Sequence, residues 1–86
     1  MTEPSQDRVR TGIRDAFRRI APEVDLESID PSANLREEAD LDSVDALNLI
    51  VLLDENLGVE IPESDYDQIT TLADMRRYLT ARIPGG

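Results

Sequence analysis

Asp42-Ser43-Val44-Asp45-Ala46-Leu47-Asn48-Leu49-Ile50-Val51-Leu52-Leu53-Asp54-Glu55-Asn56-Leu57-Gly58 is the most apolar stretch of an otherwise polar chain, and its apolar residues return at helical spacing. Asp42 has the chemistry of an N-cap and Gly58 that of a C-terminal stop, so the pattern predicts a helix over residues 43–57. At about 100° per residue, Ala46, Leu49, Ile50, Leu53 and Leu57 share one face. Val44, Leu47 and Val51 fall on another, bordered by Asp45, Asn48, Asp54 and Glu55. The first face is expected to meet the protein core. The second either packs beneath the preceding loop or forms a ridge on which another protein docks.

The flanking segments supply the rest of a helical core. Val9, Ile13, Ala16, Phe17 and Ile20 form one stripe of a helix over about residues 6–21, capped by Ser5 and ended by Pro22. Gly12 lies close to that stripe and costs the helix about 1 kcal/mol relative to alanine. Either another backbone approaches it or the position is suboptimal, and the second is the default reading. Arg10, Arg14 and Arg18 repeat along a solvated face, with Asp15–Arg19 and Asp7–Arg10 as expected pairs. Residues 22–41 show no sustained period; Val24, Leu26, Ile29, Leu35 and Leu41 are expected to pin this loop across the bundle, with a turn at Asp30-Pro31-Ser32.

After Gly58, residues 64–69 suit only a turn or two of helix, capped by Ser64 and facing inward through Tyr66 and Ile69. Thr71, with Asp74 three residues on, opens a last helix over 72–82 that turns Leu72, Met75 and Leu79 inward. Arg76, Arg77 and Arg82 lie towards its C-terminal half, where positive charge is favoured. Residues 1–4 and 83–86 read as frayed ends. The expected fold is all-α, one domain over residues 1–86: a small four-helix bundle with three longer helices, one short helix and a long loop between the first two.

Composition narrows the chemistry. The chain has 86 residues, no cysteine and no histidine, and its nine basic residues are all arginine. It therefore lacks a thiol, the commonest general base and the Schiff-base nucleophile, which makes a self-sufficient enzyme a poor reading. A formal net charge of −10 disfavours nucleic acid and anionic membrane surfaces as partners and favours basic proteins. Between Arg36 and Arg76 stand twelve acidic residues and no basic one, whereas five of the nine arginines precede Ile20. Residues 1–5 lack the features of a secretory leader, and the longest apolar run, Leu49 to Leu53, is too short to span a bilayer. A cytoplasmic monomer is the expectation. Asp40, Asp42 and Asp45 do not make a calcium loop, because Asp45 stands where the turn glycine belongs and Val51 where the bidentate glutamate belongs.

Ser43 lies just inside the positive end of the predicted helix. A phosphodiester on its hydroxyl would lie among unpaired backbone N–H groups, which suits a phosphate. Taken alone, Asp42-Ser43-Val44-Asp45 is also an ordinary capping sequence. The wider pattern adds to this: Leu41-Asp42-Ser43-Val44-Asp45-Ala46-Leu47, then Leu57-Gly58-Val59-Glu60-Ile61-Pro62, then Ile69-Thr70-Thr71-Leu72 resembles the acyl carrier protein family over roughly Val9 to Leu79. That resemblance implies that a transferase esterifies Ser43 with 4′-phosphopantetheine from coenzyme A, with Asp42 as part of the motif. It implies that the second helix is presented to acyl-loading and acyl-transfer enzymes, so that Val44, Asp45, Leu47, Asn48, Val51, Asp54 and Glu55 are expected partner contacts. Basic docking patches on those partners would complement the acids and speed encounter more than they raise affinity. A glutamate is frequent in the family where Asn48 stands. The family also buries the acyl chain between helices.

The resemblance implies a carrier of acyl thioesters for fatty-acid, polyketide or related biosynthesis, with catalysis left to the partners. A carrier of aminoacyl or peptidyl groups is the nearest alternative, but that branch usually has glycines and a different residue before the serine, where this chain has Ala39, Asp40, Leu41 and Asp42. An unmodified acidic adaptor, binding through the second helix alone, is the alternative from another class.

Overall fold

The computed structural model describes residues 4–83, with side chains from Gln6 onward. Four α-helices run in chain order: α1 (Pro4–Ile20), the single turn α2 (Leu35–Glu38), α3 (Ser43–Leu57) and α4 (Leu72–Arg82). Two 3-10 segments, Leu26–Ser28 and Glu63–Ile69, are the other helical elements among the described residues. Counting the Glu63–Ile69 segment as the short fourth member, this is the expected bundle of three longer helices and one short one. The long connection after α1, despite its lack of period, carries two structured turns, Leu26–Ser28 and Leu35–Glu38.

The core forms where the apolar stripes meet. Val9, Ile13, Ala16 and Phe17 of α1, Leu49, Leu53 and Leu57 of α3, and Leu72, Met75 and Leu79 of α4 are buried. The largest share of helix packing is α1 on α3, with α4 set against α1 and against the Glu63–Ile69 segment. Gly58 ends α3 in the left-handed conformation at φ 69°, its N–H bonded to the Asp54 carbonyl at 2.7 Å, a geometry that glycine adopts without a Cβ penalty.

Gly12 is a tighter site than the default reading allowed. A Cβ there would sit 2.6 Å from Leu57 Cδ2 and 2.7 Å from Leu57 Cγ. The Asn56 side-chain amide also donates to the Gly12 carbonyl at 3.0 Å. The position lets α1 and α3 approach, although the neighbour is a side chain and not a backbone.

Several termini differ from expectation. Helix α1 already includes Pro4, the first described residue, so Ser5 lies within the helix and is not its cap. The Glu63–Ile69 segment is capped by Pro62 without any side-chain bond, leaving Ser64 inside it. On α1, Asp15 meets Arg18 at 3.9 Å and not the expected Arg19, an exposed pair of little energetic weight. Ile83, expected to be frayed, is buried, and its N–H bonds the Leu79 carbonyl at 2.9 Å. Residues 1–3 and 84–86, where the remaining fraying was expected, lie outside the described residues. Thr71 does cap α4, its hydroxyl accepting from the Asp74 N–H at 3.0 Å.

The long connection is held by short-range polar bonds and by the expected apolar pins. Ile29, Leu35 and Leu41 are buried, and Val24 and Leu26 pack on the core more shallowly. Asp30 Oδ1 accepts from the Ser32 N–H at 2.9 Å and the Ser32 hydroxyl at 2.8 Å, which holds the Asp30 carboxyl below its ordinary pKa. Asn34 Oδ1 caps α2 by accepting from the N–H groups of Arg36 and Glu37. Leu35 N–H bonds the Thr70 carbonyl at 2.8 Å and Ala73 N–H the Pro31 carbonyl at 3.0 Å, tying the connection to the start of α4.

Candidate functional site

The chain approaches α3 through a reversal at Asp40, which has φ 54°, a left-handed conformation that aspartate tolerates better than most residues. Leu41 then turns inward, buried, with its N–H bonded to the Arg36 carbonyl at 2.8 Å. With Leu41 anchored, Asp42 takes an extended conformation, and its Oδ1 accepts from the Asp45 N–H at 2.8 Å. The first helical bond runs from Ala46 N–H to the Asp42 carbonyl at 3.0 Å. The predicted cap is therefore present, while the reciprocal half of a capping box, from Asp45 back to the Asp42 N–H, is not made among the described residues.

Ser43 is the first residue of α3 and is exposed. Among the described residues, the backbone N–H groups of Ser43 and Val44 have no partner within the chain. Two free donors at the positive end of a fifteen-residue helix are a fitting environment for the single negative charge of a phosphodiester. The carboxylates of Asp40, Asp42 and Asp45 make the surroundings acidic, so those donors are what would offset the repulsion of an anion placed there.

The second apolar face of α3 stands in solvent. Val44 is 64 % exposed, Leu47 52 % and Val51 54 %, the large hydrophobic side chains most open to water among the described residues. They do not pack beneath the loop. Asn48, Asp54 and Glu55 are exposed beside them and Asp45 is half-buried, so the ridge has a polar, acidic border.

On the inner side of α3 a cavity of about 320 Å³ opens between that helix, α2 and the Glu63–Ile69 segment. Leu41, Ala46, Ile50, Tyr66, Ile69 and Met75 give it a largely apolar lining. Ala46 and Ile50 lie three and seven residues beyond Ser43, roughly 4.5 and 10 Å along the helix axis at 1.5 Å per residue. A flexible arm fixed at residue 43 thus has an apolar compartment within short reach.

One wall of the cavity is fastened by a cluster in which Arg82 meets two residues, Asp65 and Tyr78, that the sequence pattern does not mark as its partners. The Tyr78 hydroxyl donates to Asp65 Oδ2 at 2.6 Å, and Arg82 pairs with the same oxygen at 3.4 Å while its guanidinium lies 4.5 Å from the Tyr78 ring centre. Burial of Tyr78, with its hydrogen bond to Asp65, pushes the phenol pKa up. The signal available in the sequence was spacing: Leu72, Met75 and Leu79 define a stripe to which Tyr78 also belongs. Asn34, followed three residues later by Glu37, was the corresponding unread signal for α2.

Among the described residues no helix is long and apolar enough to cross a membrane, and no cluster of acidic side chains is placed to hold a metal ion. Residues 11–79 match the family model described as a phosphopantetheine attachment site. The chain is 33% identical over 60 residues to the acyl carrier protein of Thermosynechococcus vestitus, covering 70% of this chain and 74% of that one. It is 41% identical over 56 residues to the acyl carrier protein of Syntrophobacter fumaroxidans and 38% identical over 56 residues to that of Rubrobacter xylanophilus, in both cases covering 65% of this chain and 69% of the relative.

Proposed function

The chain belongs to the acyl carrier protein family, whose members hold a covalently attached 4′-phosphopantetheine, and from that premise we propose that Ser43 is the residue that carries it. One observation carries the assignment: Ser43 is exposed at the mouth of α3, beside two backbone donors that nothing else in the described chain uses. The attached group supplies the thiol that this cysteine-free chain lacks, and with it a place to hold an acyl group as a thioester. Asp42 keeps the first turn of α3 in register, so the Ser43 hydroxyl projects from an ordered backbone.

The remaining residues divide the work. Val44, Leu47 and Val51 form the surface on which a phosphopantetheinyl transferase and then the acyl-loading and acyl-transfer enzymes dock. Asp45, Asp54 and Glu55 steer the basic rims of those partners, while Asn48 contributes a hydrogen bond where a charge would otherwise act. The cavity behind α3 shelters an acyl chain from water between encounters. The carrier works as a cytoplasmic monomer in fatty-acid, polyketide or related biosynthesis, and the bond-making steps belong to its partners.

The test is chemical. The purified chain is incubated with coenzyme A and a broad-specificity phosphopantetheinyl transferase, and intact mass is measured. One added phosphopantetheine that disappears in Ser43→Ala is the expected result. No addition to the wild-type chain, or addition that persists in Ser43→Ala, overturns the assignment.

A further inference from the structure

The arginines of this acidic protein concentrate on α1 and α4. A cavity of about 440 Å³ opens between α1, the segment that follows it and α4, and Arg10, Arg14, Arg18 and Arg76 all border it. Phe17 and Leu26 give it an apolar side. A second hollow of about 450 Å³ continues along the α1/α4 seam; it shares Arg10 and Arg76 with the first and adds Arg77. Neither hollow shares a lining residue with the cavity behind α3.

These guanidinium groups are incompletely neutralised. Arg18 has Asp15 at 3.9 Å and Arg77 has Asp74 at 3.5 Å. Among the described residues no carboxylate lies within ion-pairing distance of Arg10, Arg14 or Arg76. Asp25 and Glu27 stand at the loop end of the first hollow, but Asp25 spends its oxygens on the Glu27 N–H and the Ser28 hydroxyl. Arg76 Nε is buried and lacks any hydrogen-bond partner. A buried donor without an acceptor is costly, so the Arg76 guanidinium gains by turning toward an acceptor held in the hollow.

We propose that the α1/α4 trough binds a small phosphate-type oxyanion of multiple charge, seated where the two hollows meet between Arg10 and Arg76. Guanidinium forks match phosphate oxygens in pairs, and convergence of several on one concavity selects multivalent anions over chloride. The volume is that of a small-molecule site, and a concave seat favours a compact anion over an extended acidic segment of another protein. Binding there relieves repulsion among the arginines and staples α1 to α4 while leaving Ser43 and the Val44–Val51 ridge uncovered.

The test uses the full chain and sodium tripolyphosphate as the probe, compared with sodium chloride at equal ionic strength. Thermal unfolding and the Arg Nε–Hε resonances are followed together. A saturable rise in melting temperature and a saturable shift of the Arg76 Nε–Hε signal are expected, with affinity at least tenfold weaker in Arg10→Gln. Arg14→Gln, at an exposed position, is expected to weaken binding as well and guards against a folding defect in the first variant. Absence of saturation, or equal affinity in both variants and the wild type, overturns the proposal. Tighter binding of an octaglutamate peptide than of tripolyphosphate also overturns it, in favour of a protein ligand.

Discussion

Truncating Leu47 to alanine separates a docking ridge from a core residue by two independent measurements. Buried leucines lose about 2–5 kcal/mol on truncation, whereas substitutions at exposed positions change stability by about 0.5 kcal/mol or less. Leu47 is 52 % exposed, so the fold has little to lose, and the melting temperature is expected to fall by no more than about 4 °C in a domain of this size. Covering the exposed half of this side chain in a complex is worth about half of the 1.5–3 kcal/mol associated with complete burial. That corresponds to about a 4- to 12-fold loss in kcat/KM for phosphopantetheinylation at Ser43, read by intact mass at substrate concentrations below KM. Leu49→Ala, on the buried face of the same helix, is the control, and its melting temperature should collapse. If Leu47→Ala unfolds the protein as Leu49→Ala does, or leaves kcat/KM unchanged, the two-faced reading of α3 fails.

Gly12→Ala brings two opposed effects together. Helix propensity gains about 1 kcal/mol, but the new methyl meets Leu57, and overpacking costs about 1–3 kcal/mol, so a net loss is expected in urea denaturation. In a Leu57→Ala background the same substitution should become stabilising; a stabilised single variant would show that α1 and α3 are not this close. Tyr78→Phe removes a hydrogen bond to a carboxylate and is expected to cost about 1–3 kcal/mol by the same assay. The raised phenol pKa of Tyr78 adds a pH signature. Its stabilisation is intact below the ordinary tyrosine pKa near pH ~10 and is lost as pH rises through the higher folded-state value. A wild-type chain and a Tyr78→Phe chain with identical stability profiles above pH ~10 would contradict that contact.

The parts of the fold that sequence made legible are those in which one residue type has one physical role. Asp42 and Thr71 cap helices because a short acceptor at that register has a free N–H to meet, and Gly58 ends α3 because only glycine takes that φ at no cost. The stripes of α1, α3 and α4 follow from burial of one face. Where two forces compete, the pattern was ambiguous. Ser64 was a reasonable cap, but Pro62 sets the local backbone first. Gly12 was read as a weak helical position because its propensity is local, whereas the Leu57 side chain that explains it is forty-five residues away in the chain.

The candidate site divides in the same way. Ser43 at the helix mouth and the second apolar face of Val44, Leu47 and Val51 were visible as spacing, but whether that face packs beneath the loop or stands in solvent was not. The cavity behind α3 was not visible. It is assembled from residues on α2, α3, α4 and a 3-10 segment, and no periodicity within any one of them announces a shared void. The Tyr78–Asp65–Arg82 cluster was hidden for a related reason: its partners come from separate elements and meet only after packing.

The Glu63–Ile69 wall begins without a side-chain cap, in the tighter and less well bonded helical form, and it is moored through Asp65 to Tyr78 and Arg82. Its C-terminal end is held separately, by buried Ile69 and by the Leu35 N–H bond to the Thr70 carbonyl, so the Asp65 end is the one with room to yield. Asp65 is not itself part of the lining, so a substitution there is expected to change how far this wall can give while leaving the apolar surface of the compartment as it is.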